Sequence, residues 1–97
     1  MKISAAETRR LAAQGALILD VRTPQEYAGG HGPGAVNLPL SEMTAAREII
    51  GADDRPVIVY CQSGARSARA AAVLRAGGWE KVYDLVSIGC WDGELET

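Results

Sequence analysis

Three features of the sequence predict an α/β fold built on a mostly parallel sheet. Two apolar runs of strand length, Ala16-Leu17-Ile18-Leu19-Asp20-Val21 and Val57-Ile58-Val59-Tyr60, lack regular polar alternation, as expected for strands covered on both faces. Helical patterns stand between and around these runs, so strands and helices alternate along the chain. The second run ends in Cys61 and passes through Gln62-Ser63-Gly64 into an alanine-rich helical pattern reaching Ala76.

Each element has a local reason. Ser4 with Glu7 three residues later is a capping box, introducing a helix over Ala5 to Ala13 with Leu11 facing inward. Gln14-Gly15 ends it, and the Ala16–Val21 strand follows. Thr23 can cap and Pro24 suits a first turn, so a brief helix begins there and stops at Gly29-Gly30. His31 to Gly34 reads as a loop and Ala35 to Leu38 as a short strand. Ser41 is expected to cap a helix through about Ile50, with Gly51 to Pro56 as an exposed turn. After the Val57–Tyr60 strand and the Gly64–Ala76 helix, Gly77-Gly78 is a strong stop. Lys81 to Leu85 reads as the last strand.

Ninety-seven residues suffice for one core, so residues 1–97 are expected to form a single domain. A net charge of −2 offers no basic face for nucleic acid or a membrane surface. No apolar run approaches the roughly 18 residues of a membrane span, and Met1 to Glu7 has no signal-peptide core. Cys61 and Cys90 form no CxxC pair, and with one histidine a zinc site is not expected. The expected compartment is the reducing cytoplasm.

The Cys61 turn carries the chemistry. A strand feeding a helix through a short turn aims the turn's N–H groups, and the helix's unpaired first N–H groups, at one point. A cysteine there sits at the positive end of the helix dipole, which favours thiolate over a thiol of ordinary pKa about 8.5. Gly64 permits the positive φ or close approach that the curl needs, and Ser63 and Ala65 leave its mouth open. Arg66 opposes the dipole, so it either binds an incoming anion or pins the loop through a carboxylate. A phosphatase loop of the Cys-x5-Arg type places five residues between nucleophile and arginine. Here Gln62, Ser63, Gly64 and Ala65 make four. That smaller ring suits a terminal sulfur carried on Cys61.

Three segments resemble the rhodanese family of sulfurtransferases: Leu19 to Tyr27, His31 to Pro39, and Val59 to Ser67. Ile88 to Trp91 is a weaker match. The Cys-x-x-Gly-x-Arg-Ser loop is the specific part. Gly32 stands where the family has a branched apolar residue, and Val86-Ser87 where it has Gly-Gly. The resemblance implies a central, mostly parallel sheet of about five strands with helices on both faces. It implies that Cys61 takes a sulfane sulfur from thiosulfate or a similar donor, holds it as a persulfide, and passes it to a thiol, a protein thiol or cyanide. Gln62, Ser63, Gly64, Ala65 and Arg66 would bind substrate and persulfide, with Ser67, Asp20 and Arg22 in support and no metal or organic cofactor. The alternative on the same fold is a persulfide carrier or a regulatory protein-binding module without turnover. A phosphatase or arsenate reductase is disfavoured by the loop length.

Other residues read more simply. Asp20 and Arg22 are expected to form a structural ion pair near the loop. His31 is expected to hold the Gly30–Gly34 loop, and Glu26 to be a surface or loop-pinning carboxylate. Cys90 could pair with Cys61 only if their Cα atoms approach within about 7 Å; packing or partial exposure is the simpler expectation. Trp79 and Trp91 read as core covers, and Arg69, one turn after Arg66, as either a solvated arginine or added positive potential at the mouth.

Overall fold

A computed structural model describes residues 1–97. Its elements alternate as the sequence predicts: α1 (Ala5–Ala13), β1 (Leu17–Asp20), α2 (Pro24–Ala28), β2 (Val36–Asn37), a 3₁₀ segment (Leu40–Ala45), α3 (Ala46–Ile50), β3 (Val57–Cys61), α4 (Ala65–Ala76), β4 (Val82–Ser87) and a closing 3₁₀ turn (Ile88–Cys90). The four strands form one parallel sheet in the order β2-β1-β3-β4. The capping boxes at α1 and α2 are both formed, Ser4 with Glu7 and Thr23 with Glu26.

The alternation of side chains along the central strands divides the core in two. Leu19, Val21, Val57, Val59 and Cys61 face Ala70, Ala71 and Leu74 of α4, with Ala46, Ile50 and Trp79 completing that side. Ile18, Ile58 and Tyr60 face the other way and pack with Ile3, Ala35 and Leu85, against which Leu11 and Ala12 of α1 and Tyr27 of α2 rest. Helices thus cover both faces, which is why all five residues of β3 are buried.

The expected fifth strand is absent. Beside β4 there is only a single parallel bridge, with the Ile3 N–H donating to the Asp84 carbonyl and the Asp84 N–H to that of Met1. The Ser4 cap then turns the chain into α1, which ends the pairing. The expected Ser41-capped helix also differs. The chain enters a 3₁₀ turn directly after Pro39, with the Glu42 N–H donating to the Pro39 carbonyl. Ser41 therefore lies inside the turn and caps nothing; Glu42 leaves helical geometry, and α-helix resumes at Ala46.

β4 runs two residues beyond its expected end because it bulges. Val59 pairs with Asp84 but Tyr60 with Val86, so Leu85 is the extra residue. The bulge brings Val86 and Ser87 alongside the end of β3, beside the cysteine turn.

Candidate active site

β3 carries Cys61 to the carboxyl edge of the sheet, where ligands bind in open parallel sheets. Gly64 closes the turn in the left-handed region at φ +105° and stands at the N-cap of α4. Its N–H donates to Cys61 Sγ at 3.0 Å. Burial pushes the Cys61 thiol up. Hydrogen bonds from the Ser67 hydroxyl, and from the N–H groups of Ser67, Gly64 and Ser63, outweigh it and bring the thiol below its ordinary pKa. Cys61 is fully buried, with the Val86 carbonyl 3.6 Å from its sulfur to accept the S–H.

Ser67 sits one turn into α4, also fully buried, with its Oγ 3.1 Å from the Gly64 carbonyl and 3.2 Å from that of Val86. A hydroxyl has one proton to give. Shared between two carbonyls and an ionised sulfur, it can turn to the sulfur when Cys61 loses its own proton.

The conflict between Arg66 and the helix dipole is resolved by a carboxylate. Arg66 makes a bidentate pair with Glu26, Nη1 to Oε1 at 2.7 Å and Nη2 to Oε2 at 3.0 Å. Arg66 holds the Glu26 carboxyl far below its usual value, at about 2, and the Thr23 N–H assists. Glu26 therefore serves twice, as the third residue of α2's capping box and as the pin that fixes the first turn of α4.

Asp20 and Arg22 form a buried ion pair at the end of β1. Asp20 accepts from the Arg22 backbone N–H and Nε through Oδ1, and from Arg22 Nη2 and the Tyr60 hydroxyl through Oδ2, both at 2.7 Å. Arg22 also donates to the Gly30 carbonyl at 2.7 Å and, through Nη1, to Gln62 Oε1 at 3.3 Å. The pair thus touches the cysteine turn only through Gln62. Burial raises the Tyr60 phenol well above its usual range, so it stays a donor to Asp20 and accepts from the Gly32 N–H. Sequence reasoning missed Tyr60, whose place among β-branched residues marked it only as strand. It also missed Asn37, whose Nδ2 donates to the carbonyls of Asp20 and Arg22.

His31 lies away from the sulfur: its Nδ1 meets the Tyr27 carbonyl at 3.0 Å and its ring stacks on Tyr27. Cys90 is exposed on the closing turn and makes no disulfide with Cys61. No three His, Cys, Asp or Glu side chains cluster as metal ligands.

A buried cysteine at a strand end, a four-residue turn closed by a left-handed glycine, and an arginine pinned at the first helical turn make one constellation. The model of the rhodanese-like domain matches residues 4–87. The chain belongs to that family. Among curated relatives, it is 40% identical over 85 residues to the thiosulfate sulfurtransferase GlpE of Pseudomonas entomophila, covering 87% of this chain and 76% of that one. It is 39% identical over 98 residues to the uncharacterized protein YqhL of Bacillus subtilis, covering 100% of this chain and 77% of that one. Among solved structures, a rhodanese with anions from E. coli superposes with a TM-score of 0.81 at 26% identity, covering 86% of this chain and 99% of that one.

Within the rhodanese framework two positions stand out. Val86 occupies a family glycine position yet keeps a left-handed backbone, at φ +79°, where a β-branched residue is strained. Gly32 leaves space beside Tyr60, whose ring atoms lie 3.8 Å from the position a Cβ would take.

Proposed function

We propose that the protein is a thiosulfate-type sulfurtransferase that works through a persulfide on Cys61. One observation carries this reading: Cys61 Sγ accepts from the Gly64 N–H at 3.0 Å in a turn with four residues, not five, between cysteine and arginine. The family membership and the GlpE relatives support it.

The Cys61 thiolate attacks the outer sulfur of thiosulfate, forming an S–S bond while sulfite leaves with the electron pair of the broken bond. An acceptor thiolate or cyanide then attacks the outer sulfur of the Cys61 persulfide. The S–S bond breaks, and its electron pair returns to Cys61 Sγ. The covalent intermediate divides one transfer into two easier ones. The Gly64 N–H, already on the sulfur at 3.0 Å, and the N–H groups of Ser63 and Ser67, which help lower its pKa, stabilise the anionic forms. Arg66 and Arg22 act at one remove, holding the turn's shape through Glu26 and Gln62.

The test is intact-protein mass after incubation with thiosulfate, beside a Cys61→Ser variant, followed by cyanide with a thiocyanate readout. A gain of one sulfur that is absent in the variant and discharged by cyanide is the expected result. An unchanged mass with a reactive Cys61 thiol would remove thiosulfate as donor. Loading without turnover to any thiol would point instead to a carrier.

A further inference from the structure

The cysteine turn is closed on one flank, and a groove begins beside Arg66 on the other. On the β4 side, Val86 Cγ1 stands 2.9 Å from the position a Cβ on Gly64 would take, so the Val86 side chain closes that flank. On the other side, a groove of about 530 Å³ lies between the 3₁₀ segment and the first half of α4. Arg66 borders it at the turn, and Pro39, Leu40, Met43 and Val73 supply its apolar walls.

Three arginines line this groove and no aspartate or glutamate does. Two of them are committed, Arg22 to Asp20 and Arg66 to Glu26. Arg69 is exposed and has no carboxylate within ion-pair distance. It sits three residues after Arg66, in the N-terminal half of a helix without acidic residues, so both the neighbouring charge and the dipole disfavour it. One turn further on, Val73 is 44% exposed. Cyanide and thiosulfate use neither an apolar wall nor a groove of this size, which falls in the range that holds larger ligands.

We propose that this groove docks the sulfur acceptor as a peptide segment of a partner protein. The segment carries its cysteine beside a carboxylate, which pairs with Arg69, and an apolar residue that lies on Leu40, Met43 and Val73. The proposal rests on the persulfide reading above and names its acceptor class. The transfer balances without an added oxidant: the peptide thiolate bonds to the outer sulfur of the Cys61 persulfide, and Cys61 leaves as thiolate.

The experiment uses protein loaded with thiosulfate and two synthetic heptapeptides, one with its cysteine between glutamate and leucine, the other with lysine replacing the glutamate. Loss of the persulfide mass is timed. The glutamate peptide should discharge the protein roughly five- to tenfold faster at low salt, with the gap closing near about 0.5 M salt. Arg69→Glu should reverse the order, an inversion that a misfolded variant would not produce. Equal rates for the two peptides, or an unchanged order in Arg69→Glu, would overturn the proposal. So would equally fast discharge by mercaptosuccinate, a small thiol with two carboxylates. A second arm measures anisotropy of the labelled glutamate peptide, its cysteine replaced by serine, on the Cys61→Ser protein. Arg69-dependent binding alongside failed thiosulfate loading would keep the groove and discard the donor. Normal loading without peptide binding would discard the groove alone.

Discussion

Val86 Cγ1 lies 2.9 Å from the position of a Cβ on residue 64, so Gly64 and Val86 fit only because one of them has no side chain. A Gly64→Ala substitution meets this contact and also a backbone at φ +105°. It should cost about 1–3 kcal/mol of stability in urea denaturation and displace the N–H groups from Cys61, lowering persulfide loading. The same substitution made in a Val86→Gly background, and compared with Val86→Gly alone, should keep only the part due to φ. No cost in that background would mean that the left-handed backbone at residue 64 is unstrained.

Glu26 makes part of the stability pH-dependent. Its folded pKa, about 2, lies below the unfolded value of about 4.5, so its contribution is fully present above pH 4.5. It is lost as the pH falls from there toward 2. Because the pair is partly exposed, about 1 kcal/mol is the expected size. Urea denaturation of Glu26→Gln should show that loss at pH 7 and little loss at pH 2. A deficit equal at both would show that the carboxylate charge is not the cause.

Ser67 should tune the thiol. Ser67→Ala removes a hydroxyl that lowers the Cys61 pKa, so the pH profile of Cys61 alkylation should move to higher pH. The measurement is made in a Cys90→Ser background. An unmoved profile would leave the backbone N–H groups as the whole cause of the acidity.

Tyr60 and Gly32 give opposite outcomes at neighbouring positions. Tyr60→Phe leaves the Gly32 N–H without its acceptor and Asp20 with one donor fewer, and should cost about 1–3 kcal/mol. Gly32→Ala adds a Cβ into ordinary contact distance of Tyr60, at a backbone outside the left-handed region. It should be neutral or stabilising by up to about 1 kcal/mol, read from the melting temperature.

The parts of the site written in local sequence were legible there. Capping boxes, apolar runs and the spacing from Cys61 to Arg66 each depend on residues a few positions apart, and Ser4, Thr23 and Gly64 behave as their neighbours predict. What joins distant segments was not legible. The choice of Glu26 as partner to Arg66 spans 40 residues, as does the Tyr60 hydroxyl on Asp20. The bulge at Leu85, which carries Val86 to the cysteine turn, comes from pairing between strands and has no glycine to announce it. The family pattern suggested about five strands, but beside β4 the pairing stops at one bridge because the Ser4 cap turns the chain into α1.

The burial of Cys61 reverses the usual order of thiol labelling. The Cys61 thiol is held below its ordinary pKa, yet it is enclosed, while Cys90 stands on the surface. Iodoacetamide or a bulky maleimide added to resting protein will mark Cys90 first. A labelling screen that takes the first adduct as the reactive residue would name the wrong cysteine.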